Sequence, residues 1–533
     1  MNINKLMNFK NILRVVCGAT VIIAVYSIIT YCQAYLWSDM ATANLLIRAQ
    51  RESGQFFPST WYYSHADLWV TWLNFFTLPF SLILDNQVLA RALGSVLVIV
   101  LTCVSIRWMS KTLLQSDAYL LIIPMFLLYM IGNESWVLWE ASYGMIMLYL
   151  AVGFSLFYAV WTRQDIRKTV LLTLFLIIIN MGGTREMAEL VLPLGIALFL
   201  IIYIENRYKT IERCKNTAIE AIILELKLFV PSLVGLVLFK VISARCLNVG
   251  DAGDTYLSLS ASMADIWTNF ENMIQAFYVI FGIVPGAAIK TAIGIQSLAG
   301  MVSCTAIMFV FPILAWRRRT DVSNGEKLLL YYGLVHNTLF VVLFVFFGLN
   351  ESRYALSIAF VNIIISGQYI YQNYIKKETI QRILWSVVFI VITAIYAYCL
   401  IISSKGWSWR VETNRAFVDE LKAHGLEKGY ADYFYSCSNE VYSDFDLRIN
   451  PVYIRADGIA EFQWLCDASR FTPEEETKTF LLMTEAEYML IQPILSEYLG
   501  QEYDQFTLMN ADGINFYVNC YDYDIISKAL GHE

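Results

Sequence analysis

The chain has 533 residues, of which 58% are hydrophobic and only 16% are charged, and its mean hydropathy is +0.53. Soluble domains carry about 25% charged residues, so this composition excludes an ordinary soluble protein and indicates a chain surrounded by lipid over most of its length. The charge is uneven: residues 404–533 hold 10 Lys and Arg against 23 Asp and Glu, a net charge of −13, whereas the whole chain is −7. This shift predicts a membrane domain over 1–403 and a separate acidic domain over 404–533.

A spanning helix needs about 20 mostly apolar residues, and about eleven segments of this kind occur. Lys and Arg gather in alternate connections, which predicts a multi-pass protein of the plasma membrane with a cytoplasmic N-terminus and an extracytoplasmic acidic domain. Residues 68–84 are interpreted as an apolar helix in the outer interface, because counting them as a span would place the later basic clusters outside. Two outside loops are then long, 36–90 and about 245–293, and long ordered loops are usually functional. The predicted spans lie near 12–35, 91–109, 118–132, 137–160, 169–182, 188–204, 228–244, 294–316, 327–348, 355–375 and 380–403.

Asp39, directly after the first span, is the first candidate functional residue. Ser38 is a good N-cap for a helix over 39–53, which Gly54 would end. One interpretation is that Asp39 only stabilises the start of this helix, as acids in a first turn do. The other is a carboxylate at the membrane surface that acts as a general base on a hydroxyl or an amine. The local sequence leaves both open.

An aromatic cluster follows in the same loop. Trp61, Tyr62 and Tyr63 precede His65 and Asp67. Aromatic rings beside a His and an Asp suit contacts with a sugar or a lipid head group. The alternative is an aromatic belt at the membrane interface, which is favoured where the His stands alone.

Charged residues mark the outer ends of the later spans. Glu134 lies in a tight outside turn, and Glu140 lies about one turn inside the next apolar run, where an ionisable group is costly and is a functional hypothesis by default. Three arginines are candidates for bidentate binding of a lipid phosphate: Arg91, Arg185 and Arg353. Arg185 and Arg353 each have a neighbouring Glu, so a local ion pair, worth little when exposed, is the plainer alternative.

Residues 410–533 are interpreted as a small α/β domain. Its many acids are most simply a solvated face, and acceptor binding is the alternative. A disulfide among Cys437, Cys466 and Cys520 stays open, and no Cys or His cluster has the spacing of metal ligands. The predicted elements are a helix over 414–424 stopped by Gly425, strands over 451–455 and 479–483, a capping box at Thr484 that opens a helix to Leu499, and a hairpin around 510–513.

The order of these features resembles a known family. The features follow one another in this order: a short basic N-terminus, a first span, an outside acid, a helix ending in Gly, the aromatic cluster, an apolar interface helix and the run 88–95 that opens the next span. This order is similar to that of the lipid-phosphosugar-dependent glycosyltransferases of the GT-C superfold, especially the protein O-mannosyltransferase-like branch. Arg353-Tyr354 and the run 425–433 also look like uncharacterised bacterial relatives of that branch. The resemblance covers most of the chain through short motifs. It implies an all-α polytopic membrane domain, GT-C-like, with a small C-terminal α/β extracytoplasmic domain.

The resemblance also implies a reaction. A polyprenyl-phosphate-linked sugar would pass to an extracytoplasmic acceptor, which is a cell-envelope glycan, lipid or protein. Asp39 matches the family's first-loop acid and would be the general base of a single inverting displacement. The three arginines named above would stabilise the charge on the lipid phosphate. The branch often has two adjacent acids at this point, whereas Met40 follows Asp39 here. Glu134 or Glu140 would then supply the second carboxylate, and binding of a divalent metal stays open.

Two other functions stay open. One is a transporter or flippase of lipid-linked sugars, although such proteins often show internal repeats and no clear repeat is present. The other is a non-catalytic, glycolipid-binding envelope protein, which the missing second acid keeps in consideration. The chain has no nucleotide-binding loop or dinucleotide fingerprint, and a nucleic-acid partner is not expected.

Overall fold

The computed structural model of the chain is mostly helical. It describes residues 9–63, 68, 73–163, 165–206, 211–248, 259–260, 262–349, 351–376, 380–403, 408–474 and 477–531. In this part of the chain nine helical segments are long and apolar enough to cross a membrane. Two further predicted spans correspond to shorter helices, Tyr119–Leu128 and Ile166–Asn180. Large apolar side chains such as Ile22 and Phe199 are 71% and 62% exposed, as expected of helices that face lipid.

Helices make up most of the chain up to residue 423. Three π-helical turns are continuous with α-helices, at Met187–Val191, Thr305–Val310 and Tyr371–Ile375. A fourth, Ser135–Trp139, stands apart from the next helix, and Ser352–Ala355 forms a 3-10 turn. The α-helices are α1 Phe9–Ala34, α2 Ser38–Ser53, α3 Leu73–Ser81, α4 Gln87–Thr112, α5 Tyr119–Leu128, α6 Gly144–Arg163, α7 Ile166–Asn180, α8 Leu192–Asn206, α9 Ile211–Ser243, α10 Met263–Ile280, α11 Ala292–Cys304, α12 Phe311–Arg317, α13 Asn324–Phe347, α14 Leu356–Ile370, α15 Ile380–Ser403 and α16 Ser408–Ala423.

The C-terminal residues form a six-stranded mixed sheet with helices packed against it. The elements are β3 Lys428–Ala431, α17 Tyr433–Tyr442, β4 Arg448–Arg455, β5 Gly458–Glu461, β6 Thr479–Thr484, α18 Glu485–Leu499, β7 Asp504–Met509, β8 Asn515–Tyr521 and α19 Ile525–Ala529. The strand order is β5-β4-β3-β6-β8-β7, with β3 parallel to β4 and β6 and the remaining neighbours antiparallel. All four residues of β3 are buried, because it lies in the centre of the sheet. A separate short pair joins β1 Tyr62–Tyr63 to β2 Leu247–Asn248 in parallel.

The chain divides into two compact units. The first unit comprises Met1–Ser27, Val96–Lys240 and Gly253–Ser403, and it contains most of the apolar helices. The second unit comprises Ile28–Ser95, Val241–Ala252 and Ser404–Glu533. The long loop 36–90 therefore belongs to the same compact unit as the acidic C-terminal residues. The predicted division into 1–403 and 404–533, like the orientation in the membrane, stays a prediction.

Several local sequence signals have the structures that they predict. Gly54 ends α2 with a φ of 67°, a left-handed value that glycine adopts without strain. Thr484 caps α18 through a full capping box with Glu487, and β7 and β8 form the hairpin around 510–513. The described cysteines Cys437, Cys466 and Cys520 are free thiols, so the disulfide left open above does not form between them.

Candidate functional site

Asp39 lies in the first turn of α2, within the second unit. Its side chain is partly exposed, and its Oδ1 accepts a hydrogen bond of 2.8 Å from the Tyr433 hydroxyl at the start of α17. The Tyr433 ring is buried and stacks on Phe462 with ring centroids 4.7 Å apart, so the hydroxyl is held in a fixed position. Oδ2 of Asp39 receives no hydrogen bond from the described residues. The arrangement orients one carboxylate oxygen and leaves the other for a proton.

The prediction that Ser38 caps α2 is wrong. Trp37 occupies the N-cap position and makes no side-chain cap, while the Ser38 hydroxyl donates to the Tyr433 carbonyl at 2.5 Å. The hydroxyl joins α2 to α17 instead, because a buried serine takes whichever acceptor its packing offers. Leu36 makes a third link, since its backbone N–H donates to the Tyr442 hydroxyl at 3.1 Å. These contacts tie the start of α2 to a helix almost 400 residues later in the chain.

A buried ion cluster fixes the other end of α2. The Glu440 side chain is fully buried and accepts from Arg48 at 2.9 Å, from Arg470 at 2.8 Å and from the Ile449 backbone N–H at 3.0 Å. A buried carboxylate is tolerated when charged donors satisfy it in this way. α2 is therefore held at both ends by α17, and the position of Asp39 depends on the C-terminal residues.

Arg91 and two residues of the aromatic cluster, Trp61 and Tyr63, are buried in this unit. Arg91 is fully buried, and its guanidinium donates to the Met40 carbonyl at 2.9 Å and to the Ser95 hydroxyl at 2.6 Å. Trp61 and Tyr63 are 1% and 0% exposed, so neither presents a ring to a ligand. Their surfaces are covered by neighbouring residues, and their roles in contacting a lipid phosphate, a sugar or an acceptor stay predictions.

Of the other residues predicted to contact a sugar, the structure describes only Tyr62. Tyr62 is partly buried, forms strand β1 and packs against the hydrophobic core beside the C-terminal sheet. His65 and Asp67 lie outside the described residues. The role of Tyr62, His65 and Asp67 in contacting a sugar or an acceptor stays a prediction.

Arg185 and Arg353 meet on one aromatic group in the first unit. The Arg185 guanidinium lies over the Tyr143 ring at 4.5 Å, and the Arg353 guanidinium lies over the Trp136 ring at 4.8 Å. The rings of Trp136 and Tyr143 contact edge to face, with centroids 6.1 Å apart. Stacking on aromatic faces pre-orients an arginine without using up its hydrogen bonds. The side chains of Arg185 and Arg353 are 25% and 21% exposed.

Each of these arginines also lies near an acid, which for Arg353 is the neighbouring Glu351 that the sequence suggested and for Arg185 is Glu189, four residues later. Arg353 Nε lies 2.6 Å from a Glu351 oxygen, and Arg185 Nε lies 3.9 Å from a Glu189 oxygen. Glu351 is 52% exposed, so this pair is worth about 1 kcal/mol at most. This exposed pair is too weak to account by itself for the position of Arg353 beside the aromatic rings. We name Trp136, Tyr143, Arg185 and Arg353 the arginine-aromatic cluster.

Glu134 and Glu140 flank the π-helical turn Ser135–Trp139 of the same unit. Burial raises the pKa of Glu134 to about 8, so this carboxyl is largely protonated at neutral pH. Glu140 is 2% exposed, and the following Ala141 has a φ of 61°, which costs a non-glycine residue about 1 kcal/mol or more. Strained backbone and π-turns are frequent at functional sites, and both occur here.

A buried polar group in this unit escaped the sequence reasoning. The Glu189 carboxylate accepts from the Ser357 hydroxyl, and His336 Nε2 lies 3.3 Å from Glu189 Oε2 and 2.8 Å from the Ser357 hydroxyl. His336 and Ser357 are essentially unexposed. Glu189 also faces Arg185, so it links the arginine-aromatic cluster to the helix interior. An acid in one predicted span and a His in another were the available signal.

No three His, Cys, Asp or Glu side chains within the described ranges come together as a metal site. Glu134 and Glu140 therefore have no ready-made partners for a divalent cation among those residues. Their assignment as second acids stays a prediction.

The comparisons with known proteins bear on the fold. No family model matches the chain, and no curated protein sequence matches it. A solved structure of ArnT from Cupriavidus metallidurans, bound to undecaprenyl phosphate, is similar over 96% of this chain and 98% of that one, with a TM-score of 0.54 and 9% identity.

The chain has a GT-C-like fold. An identity of 9% shows the architecture alone, because side chains at a site are not conserved by fold. The narrower resemblance to the O-mannosyltransferase-like branch stays a prediction.

Proposed function

We propose that this protein transfers a sugar from a polyprenyl-phosphate-linked donor to an acceptor on the extracytoplasmic side of the membrane. The observation that carries the proposal is the likeness, over nearly the whole of both chains, to a protein bound to undecaprenyl phosphate. The arginine-aromatic cluster supports it from within this chain, since a polyprenyl phosphate needs cationic donors for its head.

Arg185 and Arg353 bind the lipid phosphate in this proposal. A guanidinium presents donors in a fork that matches two phosphate oxygens, and the aromatic rings beneath both groups fix the direction of the fork. During transfer the bond between the anomeric carbon and the phosphate oxygen breaks, and negative charge grows on the departing phosphate. Two preorganised cations stabilise that charge more than they stabilise the donor, which lowers the barrier.

Asp39 is the general base of the proposal. The acceptor oxygen or nitrogen forms the new bond to the anomeric carbon, its proton passes to Asp39 Oδ2, and polyprenyl phosphate leaves. The Tyr433 hydrogen bond to Oδ1 holds the carboxylate in one orientation while the proton arrives at the other oxygen. A single displacement of this kind inverts the anomeric carbon and needs one carboxylate.

The test is a transfer assay on the full chain reconstituted in vesicles. Polyprenyl-phosphate sugars extracted from membranes serve as donors, and the release of free polyprenyl phosphate is followed together with sugar appearing on an acceptor fraction. Asp39→Asn should lower the transfer rate by about 10²- to 10⁴-fold, the usual contribution of a general base. Glu52→Gln, which changes an exposed acid on the same helix, is the matched control and should leave the rate unchanged.

The two other functions predict different results in the same vesicles. A flippase would move the intact donor across the bilayer without releasing polyprenyl phosphate. A glycolipid-binding protein would retain the donor and turn nothing over. Either result with the wild-type protein, across all donors, rejects the proposed transfer.

A further inference from the structure

A polar cavity lies in the first unit, between α12, α13 and α14. Its volume is about 300 Å³, which is the lower end of the range for small-molecule sites. The apolar part of its wall comes from residues such as Leu329, Leu330 and Ile365. The polar part comes from the 318–326 connection and from the π-helical turn Tyr371–Ile375. Neither part includes a residue of the arginine-aromatic cluster.

Both signs of charge line this cavity. Arg318 is exposed, and no carboxylate within the described ranges lies at ion-pair distance from it. Asp321 is also exposed, and among the described residues its carboxylate accepts only from the neighbouring Thr320 hydroxyl, at 3.1 Å. Glu326 contributes a second carboxylate, held by a capping box to Ser323 and by the Gln368 amide. The cavity thus offers one cationic and two anionic groups that do not neutralise each other.

The backbone around the cavity is specialised. Gln372 and Asn373 reach its wall from a π-helical turn, which rotates side chains away from the positions that a regular helix would give them. The Gln368 amide is locked between Ser116, which donates to it at 2.6 Å, and Glu326. Such turns are rare and concentrate at functional sites, and fixed amides are typical of sites that orient a polar ligand.

From this arrangement we propose that the cavity binds the head group of a zwitterionic phospholipid with a primary ammonium, of the phosphatidylethanolamine type. Arg318 takes the phosphate, Asp321 and Glu326 take the ammonium, and Gln372 and Asn373 bond to the ester oxygens. The apolar wall accepts the glycerol end of the acyl chains. This site is separate from the polyprenyl-phosphate site and does not depend on the proposed sugar transfer.

The surroundings favour a lipid over a soluble ligand. The cavity opens where long apolar helices end, beside the basic run 317–319. Trp316 and Tyr331 pack edge to face there, with centroids 5.2 Å apart, and Arg319 lies 4.9 Å over the Trp316 ring. Aromatic and basic residues in this combination are typical of helix ends at the head-group level of a bilayer. A purely anionic lipid fits less well, because two carboxylates would face its charge.

The experiment is native mass spectrometry of the full chain, purified in detergent and titrated with defined lipids. Wild type should bind phosphatidylethanolamine more tightly than phosphatidylglycerol, and also more tightly than phosphatidylcholine, whose quaternary ammonium has no hydrogen to donate. Arg318→Gln should weaken phosphatidylethanolamine binding by about 10- to 100-fold, as expected for the loss of charge-assisted hydrogen bonds. Arg317→Gln is the matched control, because Arg317 is the adjacent exposed arginine and does not line the cavity.

Asp321→Asn gives a second, independent readout. It should reduce the preference for phosphatidylethanolamine over phosphatidylglycerol without lowering phosphatidylglycerol binding. Equal losses in the Arg317 and Arg318 variants would overturn the proposal, since they would mean general attraction to the basic run. Displacement of the lipid by glycerophosphoethanolamine at equal concentration would overturn the assignment to a lipid and point to a soluble phosphate ester.

Discussion

The buried ion cluster of the second unit makes a quantitative prediction. Glu440→Gln removes the only carboxylate that faces both Arg48 and Arg470 within about 3 Å in the described chain, while keeping the shape of the side chain. Arg48 retains Glu52 at 2.6 Å, but the Arg470 side chain is 8% exposed and loses its only ion-pair partner among the described residues. Breaking a buried pair by removing one partner costs about 3–5 kcal/mol, because the other charge stays buried and uncompensated.

That cost should appear as local opening of the second unit. About 1.4 kcal/mol corresponds to a factor of ten, so 3–5 kcal/mol lowers amide protection in α2 and β4 by about two to three and a half orders of magnitude. Hydrogen exchange on the full chain in detergent, resolved by peptide, measures this directly. Helices of the first unit, such as α6, serve as the internal reference.

Glu52→Gln is the control for this experiment. It removes the exposed partner of the same arginine, and exposed pairs contribute about 1 kcal/mol or less. Its exchange in α2 should change by less than about tenfold. If Glu440→Gln leaves protection in α2 and β4 equal to that of the control, then the cluster does not hold the unit together and the argument that the C-terminal residues position Asp39 fails.

Three further predictions concern other parts of the chain. Glu189→Gln should lower the transfer rate by about tenfold or more while Arg185 stays in place. The KM for the donor and the rate constant, measured separately in vesicles, will distinguish this effect from a general loss of folded protein. Gly429→Ala should destabilise the C-terminal sheet by about 1–3 kcal/mol, because a Cβ there would lie 2.2 Å from the Phe480 ring; the unfolding midpoint in denaturant measures it, and an unchanged midpoint contradicts the packing. The pKa of Glu134 in the folded chain, about 8, is above its ordinary 4.5, so the folded state binds this proton more tightly and stability should fall as the pH rises from about 4.5 to about 8. Glu134→Gln should remove that part of the dependence of thermal stability on pH. An identical pH dependence in the variant would show that the carboxyl is not buried.

Much of the helical architecture follows from the sequence, because length and apolar composition decide a spanning helix by themselves. The two predicted spans that became short helices, Tyr119–Leu128 and Ile166–Asn180, have full apolar runs but end early. The capping box of Thr484 with Glu487 was predicted correctly because it is a local interaction, whereas the Ser38 cap was not, because that hydroxyl bonds to the distant Tyr433 carbonyl. In each correct prediction the deciding contacts lie within a few residues of one another.

The elements that the sequence did not predict depend on distant partners. β3 has only four residues, all buried, and one of them is Gly429, so it shows neither alternation nor high strand propensity. α17 mixes aromatic and polar residues in sequence, and its contact with α2 depends on the pairing of Glu440 with Arg48, which is 392 residues away. The same reason explains Arg91: its position at a span end suggested a phosphate contact, whereas its hydrogen bonds to α2 are a tertiary feature.

The sequence likewise predicted only some residues of the candidate site. Arg185 and Arg353 stood out because each follows a turn at the end of an apolar run, but only the structure places them beside the same pair of aromatic rings. Glu189 was hidden inside a predicted span, where an acid is in fact the signal to look for. Its contact with His336 joins residues 147 positions apart, which no local pattern could show.

In the proposed function the arginine-aromatic cluster receives the phosphate of a polyprenyl lipid. Binding of undecaprenyl phosphate to the purified full chain tests this most directly, measured by native mass spectrometry for the wild type and for the double variant Arg185→Gln with Arg353→Gln. We expect one tightly bound lipid in the wild type and a loss of about 100-fold or more in the double variant, whereas Arg317→Gln should bind as the wild type does. Equal binding by the wild type and the double variant would contradict the claim.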